Sequence, residues 1–243
     1  MKYVAIAAAL SLGISSVALA QGKDWTFGDG ETPEAWGAIN AQYASCDTGK
    51  MQSPIDLTDP DAIGTLKLTT NFGEASGKLS LGEEKVQIDF DPGQNKGMMS
   101  GAKAFNLLQV HFHTPAEHAV NGQRYPMTAH FVHATSAGEL GVLGVFFTEG
   151  DENDAIEELL DAHAQGNGTA LSIDIDDMLP ETIEVYRYMG SLTTPPCSEG
   201  VNWHVANVPV EASADQIAKL RGALGPTARS IQDRNGRLLV APE

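Results

Sequence analysis

Five of the seven histidines in this 243-residue chain fall between positions 109 and 133, in QVHFHTPAEHAVNGQRYPMTAHFVH. Imidazoles at that density point to a metal site, and three neutral imidazoles suit zinc. Gln109, His111 and His113 are spaced by two, so on a strand they share one face while Leu108, Val110 and Phe112 fill the opposite, core-facing one. Asn121-Gly122 is a strong turn signal, and a two-residue hairpin there pairs residues whose numbers sum to 243, setting His113 opposite His130. Strand alternation then gathers His111, His113, Glu117 and His130 on one side of two antiparallel strands. Pro115 has no N–H to give a ladder, so Thr114-Pro115 is expected as a bulge or break.

The elements that must hold this hairpin read as strand and turn. LKLTT (66–70), GKLSL (77–81), KVQIDF (85–90) and FNLLQV (105–110) are separated by Gly, Asn and Pro punctuation such as Asp91-Pro92-Gly93. After the hairpin, Leu140 to Phe147 is a near-continuous apolar run suited to a strand buried on both faces. Asp151 to Ala164 carries Ile156, Leu159 and Leu160 at helical spacing, and acidic residues favour its first turn. Ile183 to Tyr188 and Val201 to Val208 resume strand character around the loop GSLTTPPCSEG, where Pro195-Pro196 stiffens the backbone beside Thr193 and Thr194. Ser213 with Gln216 forms a capping box for a helix bearing Ile217, Leu220 and Leu224, ended by Gly225. Residues 21–52 show no sustained period and read as an irregular arm packed by Trp25, Phe27, Trp36 and Tyr43.

Residues 1–20 have the form of a cleaved secretory signal: Lys2, an apolar run from Val4 to Leu12, and small residues at Ala18-Leu19-Ala20. Its removal leaves 223 residues, enough for one large domain at 21–243, and no later stretch could span a bilayer. Lys plus Arg falls from 15 to 14 against 32 Asp plus Glu, a net charge of −18, which argues against nucleic-acid and anionic-membrane partners. The only cysteines are Cys46 and Cys197, and an even count in an exported chain suggests a disulfide closing a long loop, contributing roughly 4 to 5 kcal/mol in the chain-entropy model.

Read together, the HFH hairpin and the GSLTTPP loop resemble the α-class carbonic anhydrases of the bacterial exported type. The resemblance spans nearly the whole mature chain through QSPI (52–55), LLQVHFHTPAEH (107–118), AHFVH (129–133), VLGVF (142–146), YRYMGSLTTPPCSEGVNWHV (186–205) and NGR (235–237). It implies a mainly β single domain: a central, twisted, mostly antiparallel sheet of about ten strands with peripheral short helices. It further implies Zn2+ held by His111, His113 and His130, with Gln109, His118 and Tyr188 supporting the site. Glu117 and Thr193 match the gatekeeping pair and Thr194 a substrate-side hydroxyl, while Val132, Val142, Leu192 and Trp203 match the apolar wall for carbon dioxide. Cys46 and Cys197 match the disulfide of exported members. The implied activity is reversible hydration of carbon dioxide to bicarbonate by a periplasmic or secreted monomer or homodimer. In carbonic anhydrases zinc is known to lower the pKa of a bound water to about 7. Glu117, an acceptor-only carboxylate, would force the Thr193 hydroxyl to donate to it and accept from the reacting species.

Five positions depart from the pattern. Thr128 stands where the family usually has a Glu that holds the third ligand. Glu84 aligns with the usual proton-shuttle histidine, and an ordinary carboxylate titrates well below neutral pH, so Glu83 or Glu84 would relay protons poorly. Phe27 replaces an active-site Tyr, and Thr227 and Ser230 flank Arg229 where Asn and Pro are usual, which alters local packing. These departures keep a second reading open, a weakly catalytic or acatalytic zinc-binding module on the same scaffold; esterase chemistry is a third.

Overall fold

The alternation seen in the sequence produces a single large sheet in the computed structural model, which describes residues 23–28, 33–64 and 68–243. The expected signal at 1–20 and the beginning of LKLTT lie outside these residues. The arm contains two one-turn helices, α1 (Trp36–Ile39) and α2 (Ser45–Thr48), where the sequence suggested only irregular chain. Six strands follow: β1 (Ala62–Ile63), β2 (Leu68–Asn71), β3 (Glu74–Gly82), β4 (Lys85–Phe90), β5 (Gly97–Ser100) and β6 (Lys103–His113). Beyond the histidine turn come β7 (Met127–Ala134), β8 (Leu140–Glu149), α3 (Asp154–Gln165) and β9 (Ala170–Asp174). The chain closes with β10 (Val185–Ser191), β11 (Glu199–Ala206), β12 (Val210–Ala212), α4 (Ala214–Leu224) and β13 (Val240–Ala241).

Ten strands form one hydrogen-bonded path, in the order β1, β13, β10, β11, β8, β7, β6, β4, β3, β9, and β2, β5 and β12 attach beside it. The path matches the expected sheet of about ten strands, and with the three attached strands the sheet counts thirteen among the described residues. Three of the thirteen are very short; β1 and β13 have two residues each and β12 three, too few for alternation to reveal them. Pairing is parallel where β1 meets β13 and where β8 meets β11 and β12, and antiparallel elsewhere.

Period two then sorts the central strands into two faces. Val110, Phe112, Ala129, Phe131, Leu143, Val145 and Phe147 join Ile156 and Leu159 of α3 and Ile217 and Leu220 of α4 in the main core. Val142, Phe146, Val201 and Trp203 pack on the other face with Ile55 and Tyr188. Both long helices begin on caps that satisfy exposed N–H groups: Asn153 Oδ1 accepts from Ile156 N at 3.1 Å, and Ser213 with Gln216 makes the expected capping box.

The hairpin register differs from the expected one. His111 pairs with His130 and His113 with Thr128, two residues away from the register that a continuous two-residue hairpin dictates. Around Asn121-Gly122 the Val120–Gln123 bridge does keep the expected pairing. The strand stops at His113, ahead of Thr114-Pro115, and the ladder resumes only at Met127, so the two halves re-pair with an even offset. An even offset preserves faces, whereas a single-residue slip would have turned every histidine into the core. Glu117 consequently reaches the site from the connection after β6, not from a strand position. A second irregularity lies between Leu107 and Gln109, and it turns Leu108 outward, 45 % exposed, instead of into the core.

Candidate metal centre

His111 and His113 project from the end of β6 and His130 from β7, with ring centroids 5.0, 5.3 and 4.8 Å apart. One ligating atom from each can be chosen so that all lie within 4.8 Å of one another. His111 Nδ1 is bonded to Gln109 Oε1 at 2.9 Å and His113 Nδ1 to the Thr227 carbonyl at 2.6 Å, which turns each Nε2 toward the shared space. His113 Nε2 lies 3.5 Å and His130 Nδ1 3.8 Å from the same Glu117 Oε2, so His130 faces the other ligands through Nδ1. Its other nitrogen, Nε2, is buried without a hydrogen-bond partner. Thr128 does not supply one; its hydroxyl donates to the Val145 carbonyl at 3.0 Å.

Burial, reinforced by the neighbouring imidazoles, holds His130 well below the usual histidine range. Burial, then His113, does the same to His111. Neutral imidazole is the form that ligates, and His113 Nε2 is itself buried and unpartnered, so these residues fit a tetrahedral metal with one open position.

Glu117 is fully buried, with Oε1 accepting from the Arg229 backbone N–H at 3.0 Å. Thr193 lines the cavity over the histidines, and no hydrogen bond joins its hydroxyl to Glu117, whose Oε2 is left unpartnered. The Thr193 and Thr194 loop is secured from behind. Cys197 N donates to the Thr194 carbonyl at 2.9 Å, Gln52 Nε2 donates to the Cys197 carbonyl at 3.1 Å, and a Cys46–Cys197 disulfide ties the loop to α2. His118 and Tyr188 form a buried chain with Ser53, 2.6 Å from His118 Nε2 to the Tyr188 hydroxyl and 2.8 Å onward to Ser53 Oγ. Burial and the Arg124 charge push His118 down to about 3, and burial raises the Tyr188 hydroxyl, so both stay neutral.

A cavity of about 600 Å3 opens over the histidines, bounded by Val132, Val142, Leu192, Thr193, Thr194 and Trp203 on one side. Val132 is the register partner of Val142, and Val142 that of Trp203, so three neighbouring strands present one continuous apolar wall. Across from it stand Lys23, Trp25, Phe27 and Tyr43 of the arm and Glu83 and Glu84 of the β3–β4 turn. The Glu84 carboxylate is engaged by Lys23 Nζ, Thr26 Oγ1 and Phe27 N. Burial would raise its pKa, but these hydrogen bonds and the Lys23 charge outweigh it and hold the carboxylate below its usual range. A separate cleft of about 530 Å3 near the β1 edge, between Leu68–Thr70 and Glu181–Val185, contains no histidine or cysteine.

Two contributors were not legible as such. The Thr227 carbonyl steadies His113, and Arg229 is almost fully buried, donating to Gln52 Oε1 at 2.9 Å and to the Ser53 and Cys46 carbonyls at 2.8 Å. In the sequence this segment stands out only as a departure from the family pattern, and its main contacts to the site are made by backbone, which any residue type supplies.

Together these features define a histidine-ligated metal-binding protein built on a large, mostly antiparallel sheet. The chain belongs to the eukaryotic-type, or α, carbonic anhydrase family, whose model matches residues 31–239. It is 36% identical over 237 residues to a carbonic anhydrase from Nostoc sp., covering 93% of this chain and 89% of that protein. Among solved structures, the α-carbonic anhydrase of Thermovibrio ammonificans in complex with the inhibitor sulfanilamide matches with a TM-score of 0.84 and 36% identity, over 90% of this chain and 100% of that one. Dioscorin complexed with ascorbate matches with a TM-score of 0.83 and 28% identity, over 90% of this chain and 97% of that one. Among the described residues no helix is long and apolar enough to cross a membrane.

Proposed function

We propose that this protein is a zinc-dependent carbonic anhydrase that interconverts carbon dioxide and water with bicarbonate and a proton, and that it works after export, in the periplasm or outside the cell. The observation that carries this reading is the convergence of three histidine nitrogens beneath the Val132, Val142 and Trp203 wall. Bound zinc would supply a Lewis acid that makes water nucleophilic at neutral pH. His111, His113 and His130 would hold it, leaving the fourth position toward the cavity. The apolar wall offers a small, uncharged substrate a surface without competing hydrogen bonds. Leu192, Thr193 and Thr194 close one side, and a Thr193 hydroxyl that donated to the unpartnered Glu117 Oε2 would turn its own lone pairs toward the reacting oxygen. Glu117 can hold that role because Arg229 N fixes its other oxygen. The disulfide supports an oxidising compartment, in keeping with the secretory signal read at residues 1–20.

A second reading, a weakly catalytic or acatalytic zinc-binding module, is favoured by one observation: His130 Nε2 has no acceptor. Stopped-flow hydration of carbon dioxide with metal analysis on the same sample separates the two. The enzyme reading expects one zinc per chain and turnover that rises with added imidazole, because the engaged Glu84 carboxylate is a poor proton acceptor. Full zinc occupancy without turnover would establish the module instead.

A further inference from the structure

We propose that Glu84 is a positioning residue, a clamp that fixes arm residues 23–28 as the outer wall of the metal pocket, and not a carrier of protons. Its location makes the first case. Glu83 and Glu84 form the tight turn between β3 and β4, where Gly82 pairs with Lys85, and Glu84 adopts φ +55°. That left-handed position is one that glycine and asparagine normally fill. A long carboxylate side chain stands there instead, and it is spent entirely on the arm.

The contacts make the second. Glu84 Oε1 accepts from Thr26 Oγ1 at 2.7 Å and from Phe27 N at 3.2 Å, and Oε2 pairs with Lys23 Nζ, which also lies 4.3 Å above the Trp25 ring. Three groups on five consecutive residues are gathered by one carboxylate. The arm so held puts Trp25 and Phe27 in the pocket wall, and the Phe27 ring stands edge-on to that of the ligand His113, with centroids 6.2 Å apart. On its far side the arm is pinned once more, by Trp36 Nε1 donating to the Thr26 carbonyl at 2.9 Å. A proton taken up by this carboxylate would have to displace or compete with a hydroxyl, a backbone amide and an ammonium already donating to it, whereas a clamp needs all of these contacts at once.

The inference shares with the proposed function only the premise that the three-histidine pocket takes a metal. It is tested on the full-length mature chain with Glu84→Gln, Glu84→Ala and, as a control in the same turn, Glu83→Ala. Acrylamide quenching of tryptophan emission, read without metal, reports the arm, because Trp36 and Trp203 are 0 and 2 % exposed and Trp25 is the accessible one. Release of Zn2+ from the loaded protein to a chelating dye reports the pocket wall. Glu84→Ala should raise both severalfold. Glu84→Gln keeps an oxygen for Thr26 and Phe27 and should stay close to the parent, as should Glu83→Ala. Unchanged quenching or unchanged zinc release in Glu84→Ala overturns the clamp. So does an equal, imidazole-rescued loss of turnover in Glu84→Gln and Glu84→Ala with the arm still protected, since neither variant side chain can carry a proton. Failure of the parent to bind zinc would instead defeat the proposed function, with the quenching comparison still readable.

Discussion

His113 and His130 face the same pocket with rings 4.8 Å apart, and they are held in opposite ways. His113 donates from Nδ1 to a backbone carbonyl that the fold cannot easily move, at 2.6 Å. His130 is kept in place by packing alone, against the Trp203 ring at 5.0 Å and the His118 ring at 6.2 Å, while its outer nitrogen is buried and unpartnered. A hydrogen bond to the outer nitrogen fixes the tautomer and raises ligand basicity, and its loss typically weakens metal binding or activity by ~10 to 100-fold. Leaving a buried donor unmade also costs ~1 to 3 kcal/mol. A complete set of candidate ligands is therefore compatible with a site whose three histidines are unequally secured.

The largest effect is expected from supplying the missing acceptor. Thr128→Glu should tighten zinc binding by ~10 to 100-fold in a chelator competition. Without zinc the same variant should be less stable than the parent, because the Val145 carbonyl loses its donor and a buried carboxylate gains only one partner. An unchanged zinc dissociation constant in a folded variant would show that packing alone secures His130 as well as a hydrogen bond does.

The converse change comes next. Gln109→Ala takes the acceptor from His111 and should weaken zinc binding by roughly 10-fold, the low end of such effects, since His113 remains held by backbone. If Gln109→Ala leaves affinity intact while Thr128→Glu raises it, the unequal footing of the ligands is not what limits the site. Smaller again is Thr128→Val. The Thr128 hydroxyl donates to the Val145 carbonyl and not to His130, so zinc affinity should stay at the parent value while urea unfolding shows a loss of about 1 kcal/mol from the unpaired Val145 carbonyl. A drop in zinc affinity would mean that the hydroxyl reaches the ligand in the metal-bound state.

The same contrast explains which parts of the site were legible in the sequence. His111 and His113 were readable from their spacing, because side-chain alternation is a property of any strand, and the pocket face survived an incorrect register since the offset was even. The offset itself was hidden in residues 114–126, where the chain leaves the ladder and returns, and local turn chemistry at Asn121-Gly122 carries no information about how far. Gln109 was identifiable as a partner because its side chain does the work. Thr227 was not, because its carbonyl does. Short strands such as β1, β12 and β13 escaped for a similar reason: two or three residues take their conformation from the neighbour they pair with, and their own pattern is too brief to declare it.

The smallest effect on zinc at neutral pH should come from two histidines on the core-facing side of the sheet, away from the pocket, and their contribution emerges in acid. His133 and His204 are fully buried; burial pushes His133 down to about 3 and His204 to about 4. Their folded forms are neutral, while in the unfolded chain an imidazole titrates near 6.5. Above that value neither state takes a proton and the stability is fully present. As pH falls below it the unfolded chain binds protons that the fold refuses, so stability declines through the range down to about 4 for His204 and about 3 for His133. His133→Leu removes one of these protonation sites and should flatten the decline between pH 6.5 and 4 in metal-free protein, with zinc affinity at pH 7.5 unaltered. The measurement is the urea midpoint against pH for parent and variant, and an identical slope in both would place the acid sensitivity elsewhere, His118 on the pocket side being the next candidate because burial and Arg124 hold it at about 3 as well.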